Sequence, residues 1–72
     1  MFECLDLRGV RCPLNWAKAR VRLEQLPAGA ILELLLDDPK AVRDIPQAAE
    51  SAGFVVVGVE ANAEISRIVL QK

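Results

Sequence analysis

The chain has 72 residues, 53% of them hydrophobic, a formal net charge of -1 and no histidine. That length predicts one domain over residues 1–72, and so small a fold buries only about 60% of the surface its unfolded chain exposes. The apolar content excludes disorder, the missing His excludes Ser-His-Asp, Cys-His and His-liganded zinc chemistry, and two cysteines are too few for a four-thiolate metal site.

Residues Glu3 to Leu7 read as a short strand ended by Arg8-Gly9. Cys12-Pro13 reads as a helix start, because proline suits the first turn, where its missing N–H costs nothing. The helix is predicted to reach about Leu26, with Trp16, Ala19, Leu23 and Leu26 as its apolar stripe. Pro27-Ala28-Gly29 is a turn, and the apolar run Ile31–Leu36 suits a central strand. Asp38 is placed to cap a helical turn beginning at Pro39. A second helical segment covers about Ala41 to Ala52, with Val42, Ile45, Ala49 and Ala52 facing inward. Pro46 should interrupt it, so a short turn is expected first and a restart capped by Asp44. Gly53 suits the C-terminal cap, and strands at Phe54–Val59 and Glu64–Leu70 are joined by the turn Ala61-Asn62-Ala63 as an antiparallel hairpin. The order β-α-β-α-β-β predicts an α+β two-layer sandwich, a four-stranded mixed sheet with both helices packed on one face. The other face is then left exposed or used for association.

The small net charge averages two unlike regions. Arg8 through Arg22 carries five basic residues (Arg8, Arg11, Lys18, Arg20, Arg22) and no acidic one, whereas the remainder sums to -6. Such a run is either a solvated helix face or a positive field for an anion, an acidic partner or a thiolate. Cys12 lies inside it. A helix N-terminus and the charges of Arg8 and Arg11 would lower the thiol's pKa by about one unit, enough to ionise a large fraction at neutral pH. The bland alternative is a small buried hydrophobe. For Cys4, inside the first strand, a packed and inert thiol is expected. Trp16 is read as core with an edge left for a partner.

Leu5-Asp6, Gly9-Val10-Arg11-Cys12-Pro13, Asp37-Asp38-Pro39, Arg43-Asp44-Ile45-Pro46 and Gly53, in this spacing, resemble the TusA-like (SirA-like) sulfur-carrier family from about Leu5 to Leu70. The resemblance implies the same β-α-β-α-β-β sandwich. It implies that Cys12 accepts sulfane sulfur as a persulfide from a cysteine desulfurase or another sulfurtransferase. A downstream acceptor protein then takes it, for tRNA thiolation, sulfur oxidation or cofactor synthesis. Two positions depart from the family pattern. Asn15 stands where the usual Cys-Pro-x-Pro motif has its second proline, and Ala49 stands where some members carry another cysteine.

On this reading Arg8 and Arg11 stabilise the thiolate, while Gly9, Pro13 and Asn15 support the motif. Lys18, Arg20 and Arg22 either steer acidic partners or are ordinary solvated charges. Thiolate exchange requires no general base, so the missing His is no obstacle and no cofactor is expected. Asp38 and Asp44 are read as helix caps, with no metal site. The acidic start Met1-Phe2-Glu3-Cys4-Leu5-Asp6 lacks a signal peptide's regions, and no stretch approaches a membrane span of roughly 20 apolar residues, so a cytoplasmic location is expected. An RNA-binding module is the competing class, although Phe2, Trp16 and Phe54 are the only aromatics and the acidic remainder would repel phosphate. A regulatory or interaction domain that keeps the fold without carrying sulfur is another.

Overall fold

A computed structural model describes residues 2–11, 14–62 and 64–72. Strand β1 (Phe2–Asp6), helix α1 (Leu14–Gln25), strand β2 (Ile31–Leu36), helix α2 (Pro39–Ser51), and strands β3 (Val55–Glu60) and β4 (Ser66–Gln71) follow in that order. They form one sheet in the order β1-β2-β4-β3. β1 runs parallel to β2, and the other two pairings are antiparallel. The expected mixed sheet with two helices on one face is thus observed.

Why one face is closed and the other open can be read along β2. Leu32, Leu34 and Leu36 are buried, whereas Ile31, Glu33 and Leu35 between them are half-buried. Successive side chains of a strand point to opposite faces, so the continuous apolar run covers a core on one side only. Across the sheet Leu34 lies opposite Leu5 and Ile68, and Leu32 opposite Leu70. The helices close this layer with Ala19 and Leu23 from α1 and Ala41, Ile45 and Ala49 from α2. Partly buried Trp16 and Phe54 meet edge to face beside it, ring centroids 6.4 Å apart at 70°.

Both helices show their inner faces turned slightly from the expected stripes. In α1 the buried row is Asn15, Ala19 and Leu23, continued by Leu26, and Trp16 is half-buried. In α2 Ala41 is buried while Val42 and Ala52 are half-buried. The expected break in α2 is absent: the helix runs unbroken from Pro39 to Ser51 with Pro46 inside it. Pro46 leaves the Val42 carbonyl without its usual donor. Burial of Ala41, Ile45 and Ala49 on both sides of the proline holds the helix together. Asp44 is therefore not a cap. It lies within α2 and pairs with Arg43 at 3.2 Å.

The helix ends are otherwise closed locally. Gly53 has φ +92°, its N–H donates to the Glu50 carbonyl at 3.1 Å and that of Phe54 to the Ala49 carbonyl at 2.9 Å. This is the two-bond Schellman closure, which requires a left-handed residue where glycine stands. At the end of α1, Lys72 Nζ donates to the Glu24 and Leu26 carbonyls at 2.9 and 2.7 Å, a cation at the negative end of the helix. Ser66 Oγ bonds Asn62 across the β3–β4 connection.

Cys4 departs from its expected packed environment. It is exposed on the open sheet face, because Glu3 and Leu5 are the β1 residues that turn toward the helices. Desolvation on the sheet surface and the negative charge of neighbouring Glu33 push its thiol above the ordinary value.

Candidate functional site

The connection from β1 to α1 contains the Gly9–Asn15 segment. Leu7 is buried and its N–H extends the β1–β2 pairing to the Leu35 carbonyl at 2.9 Å. The chain then turns, the Val10 N–H returning to the Leu7 carbonyl at 3.1 Å. Gly9 has φ +82°, a region costly for residues with a Cβ, and the space around it is open. Its N–H donates to both carboxylate oxygens of Asp37, each at 3.0 Å. Asp37 directly follows β2, so the most enclosed part of the sheet anchors this turn.

Asn15 holds the other end. It is fully buried at the start of α1. Its Oδ1 accepts from the Trp16 N–H at 2.7 Å, satisfying one of the unpaired donors of a helix N-terminus. Its Nδ2 donates to the Val10 carbonyl at 3.5 Å, and its own N–H to the Arg11 carbonyl at 3.1 Å. Cys12 and Pro13, the expected reactive thiol and helix start, lie outside the described residues. They are bracketed in sequence by these two anchors.

The expected basic field is reorganised by intramolecular ion pairs. Arg8 forms a two-pronged contact with Asp6, Nε to Oδ1 at 2.9 Å and Nη2 to Oδ2 at 2.7 Å, and its backbone N–H adds a third bond. The guanidinium hydrogen bond holds the Asp6 carboxyl down at about 2. Arg8's charge is therefore partly compensated at Asp6. Arg22 is likewise bound in a two-pronged contact to Glu3 on β1, which keeps the Glu3 carboxyl below its usual range. Arg20 pairs with Glu24 one helical turn away at 3.1 Å. Arg20 and Arg22 thus each carry an intramolecular carboxylate partner. Arg11 and Lys18 have no ion pair among the described residues.

Asp38 is the N-cap of α2, its side chain accepting from the Lys40 N–H at 3.0 Å. Of the Asp37-Asp38 pair, one residue therefore organises the Gly9 turn and the other begins α2. Between them opens a cleft of about 510 Å³, with Gly9, Val10 and Arg11 on one wall and Asp37, Asp38, Pro39 and Lys40 on the other. Among the described residues no group of three or more His, Cys, Asp or Glu side chains could hold a metal ion. Among them, too, no helix is long and apolar enough to cross a membrane.

Two features escaped the sequence reading. The role of Asp37 was hidden because Asp-Asp-Pro signals a cap without saying which turn the second carboxylate serves. The other is a second apolar row on α1. Leu14, Ala17 and Val21 are exposed at i, i+3 and i+7 and line, with Leu5, Lys18, Arg22 and Gln25, a groove of about 400 Å³. That spacing was present in the sequence, but the inner stripe claimed the helix.

A family model described as Sulfurtransferase TusA matches residues 3–72. A protein of Archaeoglobus fulgidus, provisionally named a sulfur carrier protein, is 40% identical over 58 residues, covering 81% of this chain and 66% of the relative. Bacillus subtilis YrkF, with the same provisional description, is 37% identical over 68 residues. That match covers 94% of this chain but only 37% of YrkF. Escherichia coli YedF, also so described, is 31% identical over 68 residues, covering 94% and 88%. The chain thus spans just under two thirds of the archaeal relative and little more than a third of YrkF. A SirA-like protein from Desulfitobacterium hafniense has the same fold, with a TM-score of 0.81 at 21% identity, covering 96% of this chain and 95% of that one. With a family match running from the first strand to the last residue, the chain belongs to the TusA family of sulfurtransferases.

Proposed function

We propose that this chain is a sulfur carrier in which Cys12 receives sulfane sulfur as a persulfide and passes it to an acceptor protein. The observation that carries this reading is the family match together with the Cys12-Pro13 motif, set in sequence between the turn anchored by Asp37 and the helix start organised by Asn15. The Cys12 thiolate attacks the outer sulfur of a donor persulfide. The new bond joins Cys12 to that sulfur, the donor's S–S bond breaks, and the donor leaves as a thiolate. An acceptor thiolate then attacks the same outer sulfur and releases Cys12 unchanged. Each step exchanges one S–S bond for another, so no external oxidant is consumed and no base is required beyond solvent.

The donor is a cysteine desulfurase or another sulfurtransferase, and the setting is the cytoplasm, where thiols stay reduced. Arg11 is the charged neighbour left to favour the Cys12 thiolate. Lys18, beside exposed Leu14, Ala17 and Val21, offers the donor an apolar and cationic face close in sequence to the thiol. Cys4 is a poor substitute carrier, since its raised pKa keeps it protonated.

The test is mass spectrometry after incubation with a cysteine desulfurase and cysteine. The expected product carries one reductant-labile sulfur on the Cys12 peptide, absent in Cys12→Ser and retained in Cys4→Ser. An unmodified Cys12 with several donors, alongside tight RNA binding at physiological salt, would replace the carrier reading with the nucleic-acid one.

A further inference from the structure

The free edge of the sheet at β1 and the exposed row on α1 lie side by side. Among the described residues, β1 has β2 as its only strand neighbour. In a parallel ladder alternate residues turn both backbone groups toward the neighbouring strand, and the Leu7 N–H, bonded to the Leu35 carbonyl, sets which ones do. Glu3, Leu5 and Leu7 therefore face β2, whereas Phe2, Cys4 and Asp6 turn N–H and C=O outward. Such an edge is a template for another strand. The opposite edge, β3, is blunted by the register shift at Val56–Gly58. Beside the β1 edge, Leu14, Ala17 and Val21 of α1 stand exposed along a groove of about 400 Å³ that Leu5 also lines.

Both features fit one occupant, a second copy of this chain. A two-fold axis normal to the sheet beside Leu5 runs two β1 strands antiparallel, so that Cys4 of each copy exchanges backbone bonds with Asp6 of the other. The added strand lies about 4.8 Å away. Because α1 reaches β1 through the Arg22–Glu3 contact, this spacing brings the two α1 helices to about the 8–10 Å at which helices pack. Antiparallel across the axis, Leu14 of one helix faces Val21 of the other. Ala17 meets Ala17 at the centre, where a small side chain lets the helices approach. A lone strand from another protein would satisfy the edge but leave Leu14 and Val21 without a facing helix. The charges agree too. The groove lining holds the cations Lys18 and Arg22 and no carboxylate, while β1 brings Glu3 and Asp6. Arg22 is bound to Glu3 of its own chain. Lys18 has no ion pair among the described residues, and across the axis it comes near Glu3 of the second copy.

We propose that this chain forms a two-fold dimer through β1 and the outer row of α1, joining two sheets into one. The dimer stands apart from the carrier reading, since it rests on a strand edge and a helix face and is read as mass, not as sulfur. It covers the face which that reading offers the donor, so donor and second copy compete for it.

Sedimentation velocity of the full chain, with a reductant present to exclude disulfides, follows the mass from about 1 μM to 1 mM. The parent is expected to move from one copy toward two across that range. Leu14→Glu and Val21→Lys each set a charge against an apolar side chain, and each should weaken the dimer by about tenfold or more. The double variant sets those opposite charges face to face between copies and should recover most of the loss. Cys4→Pro keeps the pairing with β2, because the Cys4 N–H points outward, but blocks strand addition, so it should be monomeric. Val55→Lys, on the β3 edge, is the control and should dimerise like the parent. A parent that stays at one copy throughout the range overturns the proposal. So does a dimer that survives either charge on α1 or the proline, or one that Val55→Lys disrupts. A double variant no stronger than the single ones overturns the facing of Leu14 and Val21. These two side chains are 62% and 57% exposed, so their variants test contact rather than folding even if the proline lowers stability.

Discussion

Arg8 shows how a charge close in sequence to a thiol can be committed elsewhere. Its two-pronged contact with Asp6 sets the Asp6 carboxyl at about 2, below its ordinary 3.8. A carboxyl depressed by folding stabilises the native state above its unfolded value, and that contribution is lost as pH falls through the folded one. The pair therefore supports the fold above about pH 3.8 and ceases to do so near pH 2. In Arg8→Ala, Asp6 is expected to titrate near its ordinary value, read from its carboxyl carbon shift by NMR. Because Arg8 is compensated at Asp6, the same substitution should change Cys12 alkylation much less than Arg11→Ala does. An equal loss in the two variants would show that Arg8 still acts on the thiol. Cys4 carries the opposite shift. Its Sγ lies 3.8 Å from Glu33 Oε1, and desolvation together with that carboxylate raises its pKa. It should alkylate more slowly than a free cysteine near pH 8.5, and faster once Glu33→Gln removes the charge.

At the scale of elements, the N-cap of α2 and the glycine after it each rest on a nameable interaction. Asp38→Ala should cost about 1 kcal/mol by removing the side-chain acceptor for Lys40. Gly53→Ala should cost a similar amount, about 1 kcal/mol, because its φ of +92° strains any residue with a Cβ. Urea denaturation measures both. These signals were legible in the sequence because each is local: Asp38 before Pro39, Gly53 after the last apolar position, and the nearly continuous apolar run of β2. Element order and class followed from them. What was not legible depended on contacts between distant segments. Pro46 predicts a break by its local chemistry, yet the buried Ala41, Ile45 and Ala49 hold one continuous helix. Restoring the missing N–H with Pro46→Ala should therefore raise stability by about 2 kcal/mol. The basic run read correctly as composition, but the pairing of Arg22 with Glu3, 19 residues away, arises only through the fold. The Gly9 anchor likewise required the end of β2 to meet the first turn, which no spacing reveals.

The molecule as a whole couples its site to its core through β2. Leu34 is fully buried at the centre of that strand, opposite Leu5 and Ile68, and Asp37 is carried three residues beyond it. A domain of this length has about 4–11 kcal/mol of stability, while truncating a buried leucine costs about 2–5 kcal/mol. Leu34→Ala should therefore remove a large fraction of the total and shift the urea midpoint strongly downward, with the slope of the transition unchanged. Its effect on Cys12 should be of a different kind. The bonds from Asp37 to Gly9 and from Asn15 to Val10 are not made by Leu34, so in the folded variant the thiol should keep the parent's alkylation rate. Reactivity should depart from the parent only where the variant begins to unfold, and the two curves should then move together with urea. A Leu34→Ala protein that alkylates slowly while still folded would show instead that the packing of β2 itself governs the reactivity of Cys12.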